Sequence, residues 1–208
     1  MTRKRILLLG AGGHGKAIAD LLLSAGGFEL VGFLDAVPKA SQVLGLPVLG
    51  DESLLAALAQ QGITLAHPSL GDNAQRLAAG LRLKEAGFAL PNLTHPSALI
   101  GHGARLGDGA AVLARAVIGP EAEIGPLALI NTGAIVEHDC VVGEAAHIGP
   151  GVVLAGGVRI GTGALIGAGA VVRPGLVIGE GAVIGAGAAV VENIAPDARV
   201  GGVPARPM

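Results

Sequence analysis

The stretch Val142-Gly143-Glu144-Ala145-Ala146-His147-Ile148-Gly149-Pro150-Gly151-Val152-Val153-Leu154-Ala155-Gly156-Gly157-Val158-Arg159-Ile160 repeats itself every six residues. Val142, Ile148, Leu154 and Ile160 are branched aliphatics, and Ala146, Val152 and Val158 each follow one of them by four residues. Extended in both directions, the step meets an aliphatic at every sixth position from Ile100 to Val190. Ala, Cys, Val or Leu stands four residues after each one up to Ile184, and the positions one or three residues after are mostly Gly. Such a hexad predicts a parallel β-helix. Three hexads close one triangular coil, so residues three hexads apart stack at roughly 4.8 Å.

The composition agrees. There are 36 glycines, no Trp, no Tyr and three Phe. A core with so few aromatics must be filled by small branched side chains in a narrow, regular space, as a repeat architecture provides. The formal net charge of −2 and the lack of a basic tract give nucleic acid no footing. Glycine interrupts every apolar run, so no segment reads as membrane-spanning. The basic start Met1-Thr2-Arg3-Lys4-Arg5 before Ile6-Leu7-Leu8-Leu9 has the outline of a signal peptide, but the apolar run is too short. One cysteine leaves no internal disulfide and suits a reducing cytoplasm.

Residues 1–94 follow another rule. Apolar runs at 5–9, 30–34 and 88–93 read as strands, and the spacing at 16–25, 53–61 and 73–86 reads as helix. This order predicts a Rossmann-like α/β domain with a parallel sheet, joined to a β-helix domain over 95–208. Gly10-Ala11-Gly12-Gly13-His14-Gly15 matches G-x-G-x-x-G between strand and helix, and Asp35 closes the second strand where a ribose-binding acid is expected. The motif points to a nucleotide. A dehydrogenase fits poorly, because fewer than a hundred residues precede the hexads.

Sorting the residue before each hexad aliphatic by coil face gives three outer columns. Val117, Ile135, Val153, Val171 and Ala189 form the first, and Ala111, Leu129, His147, Leu165 and Val183 the second. The third mixes in charge with Arg105, Glu123, Val141, Arg159 and Val177. Two apolar faces meeting at a corner of small residues predict a homotrimer, with face one of each subunit against face two of the next.

Polar residues are scarce in the hexads, and Asn131 to Cys140 hold the densest group, including Glu137, His138 and Asp139. A histidine with a carboxylate on one ring nitrogen is equipped as a general base. His147 of a neighbouring subunit would approach His138 across the expected interface. One coil onward in the His138 column sits Gly156, whose N–H is an oxyanion donor candidate. The residues alone leave His138 open between a base and a surface corner histidine. His102 shares its column two coils away and reads as surface, while His67 and His95 precede prolines in loops and read as structural. Cys140 falls at an inward position and reads as a core thiol.

The run Glu137-His138-Asp139-Cys140, with Val142-Gly143-Glu144, His147-Ile148-Gly149, Ala155-Gly156-Gly157 and the tail Val200-Gly201-Gly202-Val203-Pro204-Ala205-Arg206, resembles the bacterial sugar acetyltransferases of the bacillosamine, perosamine and sialic acid type. The resemblance implies a left-handed β-helix with acetyl-CoA as co-substrate and no metal. It implies that His138 is the base, that Asp139 (Glu in many relatives) orients it, and that His147 lies near the thioester. It further implies that pantetheine runs between subunits and that the Gly156 amide faces the acetyl carbonyl. In such proteins the N-terminal domain holds a nucleotide-linked sugar, which assigns Gly10, Gly12, Gly13, Gly15, His14 and Asp35 to that substrate. Leu70-Gly71-Asp72-Asn73 resembles a Gly-Asn-Asn run of the same family.

The implied reaction is N-acetylation of the 4-amino group of a nucleotide-linked 4-amino-4,6-dideoxy sugar for surface glycans, by a cytoplasmic enzyme. O-acetylation of sialic acid or another sugar is the alternative. A non-catalytic nucleotide-sugar scaffold and a zinc hydratase are the other classes; the hydratase needs three convergent histidines.

Overall fold

The computed structural model describes residues 3–208, so Met1 and Thr2 of the basic N-terminal run lie outside it. The chain divides into two compact units, the first ending at Pro96 and the second spanning Ser97–Met208. No helix among the described residues is long and apolar enough to cross a membrane.

The first unit is a five-stranded sheet of β1 (Lys4–Leu9), β2 (Phe28–Leu34), β3 (Gln42–Val43), β4 (Leu46–Gly50) and β5 (Leu65–Pro68), in the order β3-β4-β2-β1-β5. Only β3 runs antiparallel to its neighbour. Ile6, Leu7 and Leu8 are fully buried on successive positions. That places β1 in the sheet interior, between β2 and β5, with both faces covered, as parallel strands require. Helix α1 (Gly13–Ala25) buries Ile18, Ala19, Leu21 and Leu22, while α2 (Leu55–Gln60) and α3 (Asn73–Glu85) complete the layers. The chain leaves β1 toward β2 on one side, and β5 lies on the other. A crevice therefore opens at the carboxyl ends of β1 and β5, the usual ligand position in such sheets.

Two sequence readings fail here. The strand expected over 88–93 reduces to one bridge, Ala89 to Leu65, and a two-residue strand at Leu93–Thr94. Pro91 cannot donate to a ladder. His67 is not in a loop: it lies in β5, fully buried, with Nδ1 3.4 Å from Ser69 Oγ. Prolines at 47 and 68 hid β4 and β5 from a reading that treats proline as a breaker.

The second unit is a left-handed β-helix of two-residue strands. Ladder partners are 18 residues apart on all three faces: Val117 with Ile135, Leu129 with His147, Val141 with Arg159. From Val112 the hexad aliphatics and the small residues four positions later form one continuous buried core. Cys140 belongs to it; its thiol donates to the Ala155 carbonyl at 3.2 Å, and burial raises its pKa.

The hexad stops at Val190. Ile194 then bridges Ile178 and Arg199 pairs with Val183, so the last coil is two residues short. Asn193 Oδ1 repairs the gap by accepting the Val177 N–H at 2.9 Å. The strand Arg206–Pro207 folds back antiparallel on Arg199–Gly201 and covers that end. On the outside, Val171 and Val177 are 47% and 43% exposed, whereas Ala111 and Leu129 are 2% and 0% exposed within one chain. The second apolar face is thus not open along its full length, as the column pattern had implied.

Candidate active site

Coil-to-coil hydrogen bonds build the column that carries His138. The Glu121 N–H donates to the His102 carbonyl at 3.0 Å, and the Asp139 N–H to the Pro120 carbonyl at 3.1 Å. The Gly157 N–H donates to the His138 carbonyl at 2.9 Å, and Gly175 N–H to that of Gly156 at 3.0 Å. His138 is therefore clamped by its main chain from both neighbouring coils, while His102 stays two coils away. Gly119 permits the tight stack below, since a Cβ there would fall 2.5 Å from His138 N.

Asp139 sits at the left-handed corner with φ 60°, a position that glycine fills in most hexads. Aspartate tolerates this conformation better than most residues do, at some strain. The corner turns its carboxylate back on its neighbour, and Asp139 Oδ2 lies 2.7 Å from His138 Nδ1. The hydrogen bond to Asp139 raises the His138 pKa above its ordinary value, and the charges of Asp139 and Glu137 add to the rise. With Nδ1–H committed to Asp139, Nε2 is the free acceptor. Nε2 rests over Gly156, where a Cβ would come within 2.6 Å of it. The Gly156 N–H has no acceptor among the described residues.

His147 has a different setting. It is half-buried on its face, and its Nε2 lies 3.0 Å from Asn131 Nδ2. Asn131 Oδ1 accepts the Thr132 N–H at 2.8 Å, which orients the amide so that Nδ2 donates and Nε2 accepts. The contact holds the His147 ring against Asn131. Sequence reasoning did not assign Asn131 a role, although it stands one residue after Ile130, where most hexads carry Gly. Among the described residues no three His, Cys, Asp or Glu side chains gather as a metal site.

In the first unit the glycine loop does two jobs. A Cβ on Gly15 would lie 2.2 Å from the Gly10 carbonyl oxygen, and one on Gly10, at φ 110°, 2.7 Å from Leu70 Cδ2. Both are needed for packing. Gly12 and Gly13 have nothing within 4 Å of a built Cβ. They border a cavity of about 220 Å³ shared with Lys16 and Lys39. Asp35 accepts from the Ala11 N–H and the Val37 N–H, each at 2.9 Å, tying the loop to the turn after β2. Each carboxylate oxygen keeps a second lone pair for a ligand. Asp35, Gly10, Leu70 and Glu52 line a second cavity of about 110 Å³. His14 is half-buried, beside Gly71.

A hexapeptide β-helix with an Asp-oriented histidine at a coil corner, behind an α/β domain with a glycine loop, defines the class of acyltransferases built on left-handed β-helices. Residues 5–79 match the PglD N-terminal domain family, and residues 157–191 the bacterial transferase hexapeptide (six repeats) family. The chain is 41% identical to PerB, the perosamine N-acetyltransferase of Caulobacter crescentus, solved with CoA and GDP-perosamine. The match covers 98% of this chain and 96% of that one, at a TM-score of 0.94. The acetyltransferase domain of PglB from Neisseria gonorrhoeae FA1090, solved with acetyl coenzyme A, is 36% identical over both full lengths, also at 0.94. WeeI from Acinetobacter baumannii AYE, at 24% identity and a TM-score of 0.87, shares the fold. No curated protein matches the chain. The chain belongs to the family of bacterial sugar acetyltransferases that includes these perosamine and PglB enzymes.

Proposed function

We propose that the chain transfers acetyl from acetyl-CoA to the 4-amino group of a nucleotide-linked 4-amino-4,6-dideoxy sugar. The observation that carries this is His138: Nδ1 tied to Asp139 at 2.7 Å and Nε2 bare over Gly156. Relatives more than a third identical support the substrates, since one was solved with CoA and GDP-perosamine and another with acetyl coenzyme A.

In this mechanism the amine attacks the thioester carbonyl and its proton passes to His138 Nε2. Asp139 holds the imidazole in the tautomer that leaves Nε2 free and stabilises the imidazolium that forms. The oxyanion of the tetrahedral intermediate takes a hydrogen bond from the Gly156 N–H. Collapse breaks the carbon–sulfur bond, and the proton on Nε2 goes to the departing thiolate. His147, held by Asn131, sits near the thioester. The glycine loop and Asp35 hold the nucleotide.

A homotrimer is the assembly we favour. The exposed Val171 and half-buried Ala189 of the first apolar face, and the half-buried His147, Leu165 and Val183 of the second, give it a surface. A cytoplasmic site follows from the acetyl-CoA supply.

Thiol release from acetyl-CoA, measured against UDP-, GDP- and dTDP-linked 4-amino-4,6-dideoxy sugars and free sialic acid, tests the reading. Turnover is expected with one of the amino sugars. Activity on sialic acid alone would replace N-acetylation by O-acetylation, and silence with every acceptor would reject both.

A further inference from the structure

The largest fully buried side chain among the described residues is a cation. Arg76, on the first turn of α3, is 1% exposed. Burial lowers its pKa to about 10, opposed by the nearby Asp72 charge, so it remains protonated at neutral pH. Its Nη1 donates to the Leu70 carbonyl at 3.1 Å and the Gly71 carbonyl at 3.2 Å, and its Nη2 to Asn73 Oδ1 at 2.8 Å. Burying a guanidinium is costly unless its donors are satisfied, so the loop and the cation specify each other.

The segment it grips is the wall of the crevice. Leu70 lines the cavity with Gly10 and Asp35, and its side chain lies against the Gly10 backbone. Gly71 packs beside His14. In a trans peptide the N–H points opposite to the carbonyl. Carbonyls drawn inward by Arg76 therefore turn the Gly71 and Asp72 N–H groups outward. Both residues are exposed, and neither N–H has an acceptor among the described residues.

We infer that Arg76 is a positioning residue for the nucleotide-linked substrate: from inside the fold it sets the Leu70–Gly71 wall and its outward amides against the glycine loop. This rests on the reading that the α/β unit holds the nucleotide sugar. A guanidinium fork reaches both carbonyls and Asn73 together, which the single ammonium of lysine does not reproduce.

The test is steady-state kinetics of the full chain with each substrate varied in turn, beside thermal melting. Arg76→Met is expected to raise the KM for the nucleotide sugar about tenfold, with kcat and the KM for acetyl-CoA within about twofold of wild type. Arg76→Lys should give a smaller rise of the same selective kind. Asn73→Ala, which removes one anchor and keeps the cation, should raise that KM about threefold and supplies the reading if Arg76→Met does not fold. An unchanged nucleotide-sugar KM in folded Arg76→Lys and Asn73→Ala would overturn the inference, as would equal rises in both KM values. A wild type that uses or binds no nucleotide sugar sinks the underlying reading too. One that does, with variants unaffected, sinks this inference alone.

Discussion

The two halves of the chain use glycine in opposite ways. In the β-helix, glycine at the left-handed corners is the default, and residues such as Gly133, Gly151 and Gly163 have nothing near a built Cβ. The residues of the proposed mechanism depart from glycine there: Asp139 takes a left-handed corner, as Arg115, Glu121, Leu127 and Ala145 also do, and Asn131 takes a place where Gly119, Gly125 or Gly143 stands in other hexads. In the glycine loop, Gly10 and Gly15 are demanded by contacts, while Gly12 and Gly13 are free of them and border a cavity. There, the proposed nucleotide site shows as glycine kept without a packing reason. A regular background makes an exception informative; an irregular one makes an unexplained constancy informative.

The contrast is easiest to break at Asp139. Restoring the repeat with Asp139→Gly should cut kcat about 100-fold, the scale of a lost base-orienting group. The melting temperature should not fall, because glycine removes the left-handed strain. A variant that melts well below wild type would show that the carboxylate is structural.

Next in size is Gly15→Ala. Its Cβ would meet a backbone oxygen at 2.2 Å, so the first unit should lose about 2–3 kcal/mol in denaturant unfolding. Gly12→Ala, by contrast, should change stability by less than about 0.5 kcal/mol and act on the nucleotide-sugar KM. Equal destabilisation by both would erase the distinction between packing and open glycines.

The smallest effect sharpens the electrostatics. The Asp139 hydrogen bond raises the His138 pKa, and a base works only when unprotonated. The acid limb of the kcat/KM profile should therefore be shifted above the ordinary histidine value and move to lower pH in Asp139→Asn. A limb that stays in place in the variant would separate it from this pair.

Much of this was legible before folding. A side chain in the β-helix meets residues one coil away, so a fixed step of 18 carries long-range contacts into the primary sequence. His138, Asp139 and Gly156 could be placed together on that step alone. The step ended at Val190, because the short last coil at Glu192 and Asn193 has no repeat to reveal it. In the first unit only the glycine loop and its flanking elements carried a local signal. The β3–β4 hairpin, the burial of His67 and the grip of Arg76 on Leu70 and Gly71 depend on tertiary packing. Asn131 was visible as a polar exception, but its hold on His147 needed the 3.0 Å contact across coils.

The most direct measurement is acetyl-CoA turnover by His138→Ala beside wild type, with acetyl-CoA binding followed by calorimetry. If Nε2 is the base, turnover should fall about 10³-fold while the dissociation constant for acetyl-CoA stays within about threefold. Turnover within tenfold of wild type in a folded variant would contradict the account.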